Sequence, residues 1–155
     1  MTFSNEDLLV RPVTVKDMTQ LTPMMMAYIA DFTNRQNLLE QAVTEHISYI
    51  LAHPEAGIQF AAEHRGECLG FATLYFSFST LRLQKIAILN DLFVQEESRG
   101  KKVGERLFEH CLDYSKVNSY AWMQWETTRD NFAARKLYEK MGGRISELLV
   151  YEIEC

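Results

Sequence analysis

A short segment from Arg99 to Gly104 carries the residue types needed to bind a phosphate group. It is Arg-Gly-Lys-Lys-Val-Gly, and it separates an apolar stretch from an amphipathic, helix-like pattern. The first N–H groups of a helix have no partner within the helix and lie at the positive end of its dipole, which favours an anion. Gly100 can adopt a positive φ, and Gly104, which weakens a helix, leaves room for a ligand. The segment therefore predicts a pyrophosphate site, although the same residues also suit an ordinary helix start with solvated cations.

A second group, Asn131, Ala134 and Tyr138, recurs at helical spacing later in the chain. Positions 131 and 138 are about two turns apart, so they share one helix face with the small Ala134 between them. A phenol is protonated at neutral pH and can donate its proton to a departing thiolate. Tyr138 is therefore a candidate general acid. Its alternative role is that of a half-buried packing residue whose hydroxyl meets a backbone group.

Helices and strands of mixed order must position these two groups. Hydrophobic period and turn residues predict the order β-α-α-β-β-β-α-β-α-β, with a capping box of Thr14 and Asp17 before the first helix. The predicted elements are a strand at Leu8–Val13, helices over Met18–Phe32 and Leu39–Ile50, a hairpin of Ile58–Glu63 and Leu69–Ser77, a strand at Lys85–Val94, a helix over Gly100–Lys116, a strand at Tyr120–Thr127, a helix over Asn131–Met141 and a strand at Leu148–Ile153. The strand-helix-strand unit from Lys85 to Thr127 should be a right-handed parallel crossover.

Composition restricts the class of protein. The chain has 155 residues, 47% of them hydrophobic, and a net charge of −5, which suits one globular domain spanning residues 1–155. The negative charge argues against a nucleic-acid partner, and the apolar runs are too short for a membrane span or a signal peptide. The three cysteines are widely spaced and form no metal-ligand or disulfide pattern. We therefore expect no metal and a cytoplasmic location.

Taken together, the two motifs resemble those of the GNAT superfamily of N-acetyltransferases. The acetyl-CoA loop of that family has the form Arg/Gln-x-x-Gly-x-Gly/Ala, and Arg99–Gly104 is similar to it, as is the whole stretch DLFVQEESRG. The second family motif is an asparagine, a helix with alanine and tyrosine, and a glycine. It is similar to Asn131, Ala133 or Ala134, Tyr138 and Gly142. The strand ILNDLFV most resembles the diamine acetyltransferase subgroup.

The resemblance implies a fold and an activity. The fold would be α/β (α+β), with a mixed, mostly antiparallel twisted sheet of six to seven strands, flanked by four helices and splayed between the fourth and fifth strands. The activity would be direct acetyl transfer from acetyl-CoA to a primary amine of a small molecule or peptide in a ternary complex, with Tyr138 as the general acid. The residues that the resemblance places at the cofactor are Leu92, Phe93, Val94, Arg99, Gly100, Lys101, Lys102, Val103, Gly104, Asn131, Ala134 and Tyr138.

Two positions depart from the family pattern. Lys102 replaces the middle glycine of the loop, where a positive φ would strain a lysine. Asn90 stands where diamine acetyltransferases carry a glutamate proposed as the general base, and an amide does not accept a proton at neutral pH. The remaining candidates for recognising the amine, or for relaying its proton, are Tyr28, Asp31, Asn90, Asp91 and Glu126. In a regular strand, Asn90 and Asp91 would face opposite sides.

The resemblance implies that the loop before the fourth strand contributes to acceptor specificity. Here that loop is Ser77–Lys85, which contains Arg82 and Lys85 and no acidic residue. Like charges repel, so we expect spermidine and putrescine to be poorer acceptors than a mono-amine, an amino acid or a peptide N-terminus. Two alternatives stay open at this point: a catalytically silent acyl-CoA-binding module, and a protein N-terminal or lysine acetyltransferase. The sequence also leaves the oligomeric state undecided, with a homodimer as one possibility.

Overall fold

The computed structural model describes residues 4–35 and 37–155. By its backbone contacts the chain divides into two compact units, one ending at Trp125 and the other comprising Glu126–Cys155. The single domain expected over residues 1–155 stays a prediction. Within the described residues, no helix is long and apolar enough to cross a membrane.

The first unit is built on one sheet with the strand order β1-β2-β3-β4-β5. Neighbouring strands are antiparallel except for β4 and β5, which are parallel and joined by a helical crossover. The elements are β1 (Leu8–Pro12), α1 (Met18–Thr33), α2 (Glu40–Ala52), β2 (Gly57–His64), β3 (Glu67–Ser79), β4 (Gln84–Val94), α3 (Val103–Val117) and β5 (Met123–Gln124), followed in the second unit by α4 (Phe132–Lys140). The predicted mixed, mostly antiparallel sheet and the four helices are confirmed.

The sheet has five strands in the described part of the chain, so the predicted six to seven is too many. The stretch Leu148–Ile153 forms no strand, and its apolar side chains are exposed by 73% or more. The stretch Tyr120–Thr127 is reduced to the two residues of β5. Apolar, β-branched and aromatic residues indicate only that a segment is compatible with a pleated strand. The strand itself forms only where a neighbouring strand pairs with its backbone.

Both faces of the sheet are covered. On one face, Met25 of α1 and Ile47 of α2 pack into a cluster with Phe71 of β3. On the other face, the ring of Phe60 on β2 contacts His110 of α3 in an edge-on arrangement, with ring centres 4.6 Å apart. Strand β2 was predicted from alternating residues, but its polar-face positions are buried as well, including Gln59. A polar side chain in that place needs a hydrogen-bonding explanation.

The predicted capping box is present and is tied to β1. Both the backbone N–H and the hydroxyl of Thr14 donate to Asp17 Oδ2, at 2.7 Å and 3.0 Å. The guanidinium of Arg11 donates to both oxygens of the same carboxylate, at 2.9 Å and 2.8 Å. The hydrogen bond from Arg11 is the main reason that the pKa of Asp17 falls from its ordinary 3.8 to about 2. This paired carboxylate fixes the start of α1 on the sheet.

Replacing Asp17 by asparagine is expected to lower the free energy of unfolding by roughly 2 kcal/mol at pH 7, since one pKa unit corresponds to about 1.4 kcal/mol. A carboxylate with a lowered pKa stabilises the fold above its unfolded pKa, and this contribution is lost as the pH falls towards about 2. The deficit of the variant should therefore shrink between pH 7 and pH 3 in denaturant titrations. Asp113→Asn, at an exposed carboxylate, is the matched control. A deficit that is equal at both pH values would contradict the assignment.

Candidate functional site

The segment from Arg99 to Gly104 forms a turn that opens α3. Gly100 has a φ of +77° and Lys102 a φ of +64°, and Lys102 is the N-cap of the helix. The helix therefore begins at Val103 rather than at Gly100 as predicted, because left-handed residues cannot continue a right-handed helix. The position where the family carries glycine does require positive φ, and a lysine is held there at a cost of about 1 kcal/mol. Turns of this kind present successive N–H groups to an anion.

Gly104, in the first turn of α3, is not required by contacts inside the protein. Among the described residues, a Cβ at this position would meet only Val94 Cγ2, at 3.5 Å, which is an ordinary contact. Alanine would favour the helix by about 1 kcal/mol over glycine. The backbone at Gly104 is therefore accessible to a ligand, and this turn fits a bound phosphate group.

The other residues of the predicted pyrophosphate segment differ in exposure and contacts. Arg99 is exposed, its Nε donates to the carbonyl oxygen of Val94 at 3.1 Å, and its guanidinium carbon lies 5.9 Å from the centre of the Phe93 ring. Lys101 and Lys102 are also exposed. The side chain of Val103 is a buried core residue, only 1% exposed, so this residue can offer a ligand no more than its backbone N–H.

Strand β4 is irregular at Asn90 and Asp91, two of the residues predicted to recognise the amine. Thr73 of β3 faces Asp91 and the next residue, Leu74, faces Leu89, so Asn90 is an extra residue that forms a β-bulge. The regular strand on which the placement of Asn90 and Asp91 was predicted is therefore interrupted here, and Asn90 Nδ2 donates to Asp91 Oδ1 at 3.0 Å. Bulges re-aim side chains and occur often beside active sites.

The predicted splay between the fourth and fifth strands is confirmed. Strand β5 pairs with β4 only through Ala87–Met123 and Ile88–Gln124. Beyond Ile88, no strand in the described part of the first unit pairs with this edge of β4. In the described first unit, the stretch that holds Leu92, Phe93 and Val94 is therefore paired with a strand on the β3 side only.

Tyr28 lies beside the bulge. Its ring contacts Phe71 and Phe93, each with centres 5.9 Å apart, and its hydroxyl is 3.5 Å from the carbonyl oxygen of Asn90. The structure thus brings together Tyr28, Asn90 and Asp91 from the predicted amine-binding set. Asp31, further along α1, is exposed to solvent.

Sequence reasoning missed several polar residues on the same face of the sheet. Gln59 of β2 and Thr73 of β3 lie in register with each other and with Asp91. Tyr75 of β3 contacts His46 of α2, with 2.8 Å between Oη and Nε2. Burial, and then the negative charge of Asp91, raise the pKa of Tyr75 to about 12. The sequence signal that could have identified this group is Gln59, a glutamine inside the largely apolar strand β2.

The basic residues Arg82 and Lys85 lie far from Asp91. They belong to the tip of the β3–β4 hairpin, where Lys85 Nζ is 5.7 Å from the centre of the Phe78 ring. At about 3.3 Å per residue, Lys85 and Asp91 are roughly 20 Å apart along β4. Charges at that distance are largely screened at physiological ionic strength. Repulsion from this segment is therefore the wrong reason to expect poor binding of polyamines.

The second unit holds the remaining predicted residues. Asn131 is the N-cap of α4, and its Oδ1 accepts a hydrogen bond from the N–H of Ala134 at 3.3 Å, which leaves its amide NH₂ as the group that can donate to a ligand. Tyr138 is half-buried, and burial raises its pKa above the ordinary 10, so the phenol keeps its proton throughout the neutral range. Glu126, the first residue of the unit, is exposed.

Comparison with known proteins agrees with these features. Residues 22–143 match the model of the acetyltransferase (GNAT) family. Over 139 residues the chain is 32% identical to an uncharacterized N-acetyltransferase, YhfO, of Bacillus subtilis (strain 168), with 86% of this chain and 87% of that protein covered. Over 84 residues it is 27% identical to the D-amino-acid N-acetyltransferase HPA3 of Saccharomyces cerevisiae, covering 54% of this chain and 52% of that protein. A solved structure of a probable acetyltransferase has a TM-score of 0.84 and 27% identity, covering 95% of this chain and 97% of that one.

Proposed function

The chain belongs to the acetyltransferase (GNAT) family, and we propose that it transfers the acetyl group of acetyl-CoA to the primary amine of a small molecule or peptide. The observation that carries this proposal is the left-handed turn at Gly100 and Lys102. It leads into a helix whose Gly104 has no packing reason to be glycine. When bound, acetyl-CoA supplies an activated thioester.

The turn and the open edge of β4 would hold the cofactor. The backbone N–H groups at the start of α3 would donate hydrogen bonds to the pyrophosphate oxygens, and Arg99, Lys101 and Lys102 would add positive charge around them. Backbone groups of Leu92 and Val94 on the open edge orient the pantetheine arm. Val103 contributes through its backbone alone, and the amide of Asn131 donates a hydrogen bond.

Proton transfer in this proposal depends on Tyr138. Its phenol carries a proton at neutral pH and gives it to the leaving sulfur. Cys111 is not a nucleophile in this proposal, since it is fully buried and burial raises its pKa to about 12, which keeps it in the unreactive thiol form. In this proposal the acceptor amine attacks directly, in a ternary complex.

The acceptor class is a mono-amine, an amino acid or a peptide N-terminus. The name of HPA3, a D-amino-acid N-acetyltransferase, supports an amino acid. Asn90 stands where the diamine enzymes have a glutamate, so Asp91 is the carboxylate of the bulge. One carboxylate suits one ammonium group, and a second ammonium would lose hydration without gaining a partner.

We expect kcat/KM for spermidine and putrescine to be at least tenfold below that for the best amino acid or mono-amine, a difference of about 1.4 kcal/mol. The measurement is release of free CoA thiol with a panel of D- and L-amino acids, peptides, mono-amines and polyamines at one pH. Asn90→Glu restores the second carboxylate and should raise the relative rate with spermidine. A wild-type preference for spermidine would restore the diamine assignment. Binding of acetyl-CoA without turnover on any amine would instead favour a silent acyl-CoA-binding module.

A further inference from the structure

The apolar side of α1 extends beyond the core that it covers. Leu21, Met25, Tyr28 and Phe32 recur at steps of four, three and four residues, so they lie on one side of the helix. Leu21 and Met25 are only 0% and 4% exposed, and Tyr28 is half-buried. Phe32 is 64% exposed. It therefore continues the core-facing stripe to a place where the described residues leave most of its ring uncovered.

Phe32 is the last of a series of aromatic rings that begins on the sheet. Phe93 of β4 lies opposite Phe71 of β3, with ring centres 5.9 Å apart. The centre of the Tyr28 ring lies 5.9 Å from each of these rings and 5.7 Å from the Phe32 ring. The Tyr28 hydroxyl is 3.5 Å from the carbonyl oxygen of Asn90 in the bulge. The series thus leads from the strand proposed to hold the pantetheine arm, past the bulge, to an exposed ring.

The last turn of α1 holds Phe32 in a defined place. The helix runs to Thr33, and the N–H of Asn34 donates to the carbonyl oxygen of Ala30 at 2.9 Å. The Thr33 hydroxyl donates to the carbonyl oxygen of Ile29 at 2.6 Å. Asn34 has a φ of +52°, which ends the helix directly after this turn. Because a regular helix presents the ring, a ligand that packs on it has little backbone to order.

Packing within the protein gives a weaker account of Phe32. A pair of aromatic side chains four residues apart, such as Tyr28 and Phe32, stabilises a helix only slightly. A single exposed apolar side chain is ordinary on a protein surface. Phe32, however, lies on the core-facing side of its helix and contacts a ring beside the bulge. An apolar group of a ligand that covered it would remove both surfaces from water, which is favourable.

We infer that the acceptor carries an aromatic or large apolar group beside its amine, and that Phe32 and Tyr28 bind this group. The inference rests on the proposed function and deepens it, because it names the substrate class and a residue that determines specificity. With the amine at the bulge, a short carbon chain places the apolar group of the acceptor against Phe32. This residue acts on binding and takes no part in making or breaking bonds, so it should affect KM and leave kcat unchanged.

The test compares acceptors that share an amine and differ by a phenyl group. The pairs are phenethylamine with ethylamine, and phenylalanine with alanine in both the D and L forms. For the wild type, kcat/KM should favour the phenyl compound roughly 10- to 100-fold in at least one pair, the range expected for burying a phenyl ring. Phe32→Ala should lower this preference about tenfold by raising KM for the phenyl compound, with kcat/KM for the small amine within about twofold of wild type.

Two further variants serve as controls. Phe32→Leu keeps an apolar side chain and should retain most of the preference. Tyr49→Ala removes another exposed ring from the first unit, on α2 and 52% exposed, and should leave the preference unchanged. The melting temperature of free Phe32→Ala should stay within about 2 °C of wild type, because truncation of an exposed side chain has little effect on stability. A wild-type preference below about threefold in every pair, or an unchanged preference in Phe32→Ala, would overturn the inference.

Binding of the acetylated products tests the same surface without turnover. N-phenethylacetamide and N-ethylacetamide differ only by the phenyl group. In calorimetry with CoA present, the wild type should bind the phenyl compound at least about tenfold more tightly, and Phe32→Ala should remove most of this difference. Equal binding of the two amides by the wild type would overturn the inference.

The failure of this inference and the failure of the proposed function have different signatures. A wild-type protein that acetylates no amine, yet binds the two amides with the expected difference, contradicts the proposed function and keeps Phe32 as a binding residue. A wild-type protein that acetylates amines without preferring the phenyl compounds contradicts the inference alone.

Discussion

Tyr138→Phe is expected to lower kcat by roughly 10²- to 10⁴-fold, the usual contribution of a general acid, with little change in acetyl-CoA affinity. Phenylalanine keeps the ring and its packing and removes only the proton. Because burial raises the pKa of Tyr138 above its ordinary 10, deprotonation of this group should not reduce the wild-type rate in the neutral range. Initial rates with saturating substrates, together with calorimetry of acetyl-CoA binding, provide the measurement.

Tyr151→Phe is the matched control for this experiment. Tyr151 is 89% exposed and belongs to the same unit as Tyr138, so loss of its hydroxyl should leave the rate within about twofold of wild type. Full activity of a folded Tyr138→Phe variant would show that the tyrosine is a packing residue and that another group supplies the proton.

Gly104→Glu is expected to abolish the rise in melting temperature that acetyl-CoA produces. A ligand at 100 times its Kd stabilises a fold by about 2.7 kcal/mol, so the loss is easily measured by thermal unfolding. The carboxylate would occupy the approach to the first turn of α3 and repel a phosphate. The unliganded fold should survive, because a negative charge suits a helix N-terminus.

Gly104→Ala distinguishes an effect on the stability of the free protein from an effect on acetyl-CoA binding. Among the described residues, the added Cβ meets only Val94 Cγ2 at 3.5 Å, and alanine favours the helix by about 1 kcal/mol, so the free protein should be slightly more stable. Its response to acetyl-CoA should lie between those of wild type and Gly104→Glu. An unchanged response in Gly104→Glu would place the pyrophosphate elsewhere.

The turn before α3 is the part of the site that sequence predicts best. Its glycines and cations are contiguous, and their order in the chain is their order in the turn. The requirement for positive φ at position 102 could also be stated in advance, and Lys102 adopts it. Local chemistry of this kind needs no knowledge of which strands are neighbours.

The region around Asp91 could not be predicted in the same way. Its bulge depends on the register between β3 and β4, which the alternation of residues in one strand does not reveal. The row formed with Gln59 and Thr73 depends on the register of three strands. Sequence therefore identified Asp91 as a candidate but not its buried setting.

The fold shows a similar division. Helices α1 and α2 were predicted from their apolar period, and burial of one face confirms them. The stretch Leu148–Ile153 has the composition of a strand, yet it pairs with none in the described residues. Composition indicates that a segment can form a strand, whereas strand pairing depends on which other segments of the chain lie beside it.

The claim that this protein acetylates amines is tested most directly by mass spectrometry of a reaction that contains the wild-type protein, acetyl-CoA and the amine panel, with free CoA thiol measured in parallel. We predict an N-acetylated amine and free thiol in equal amounts, with both absent when the protein or the amine is omitted. Thiol release without an acetylated amine, or no turnover of any amine despite acetyl-CoA binding, would contradict it.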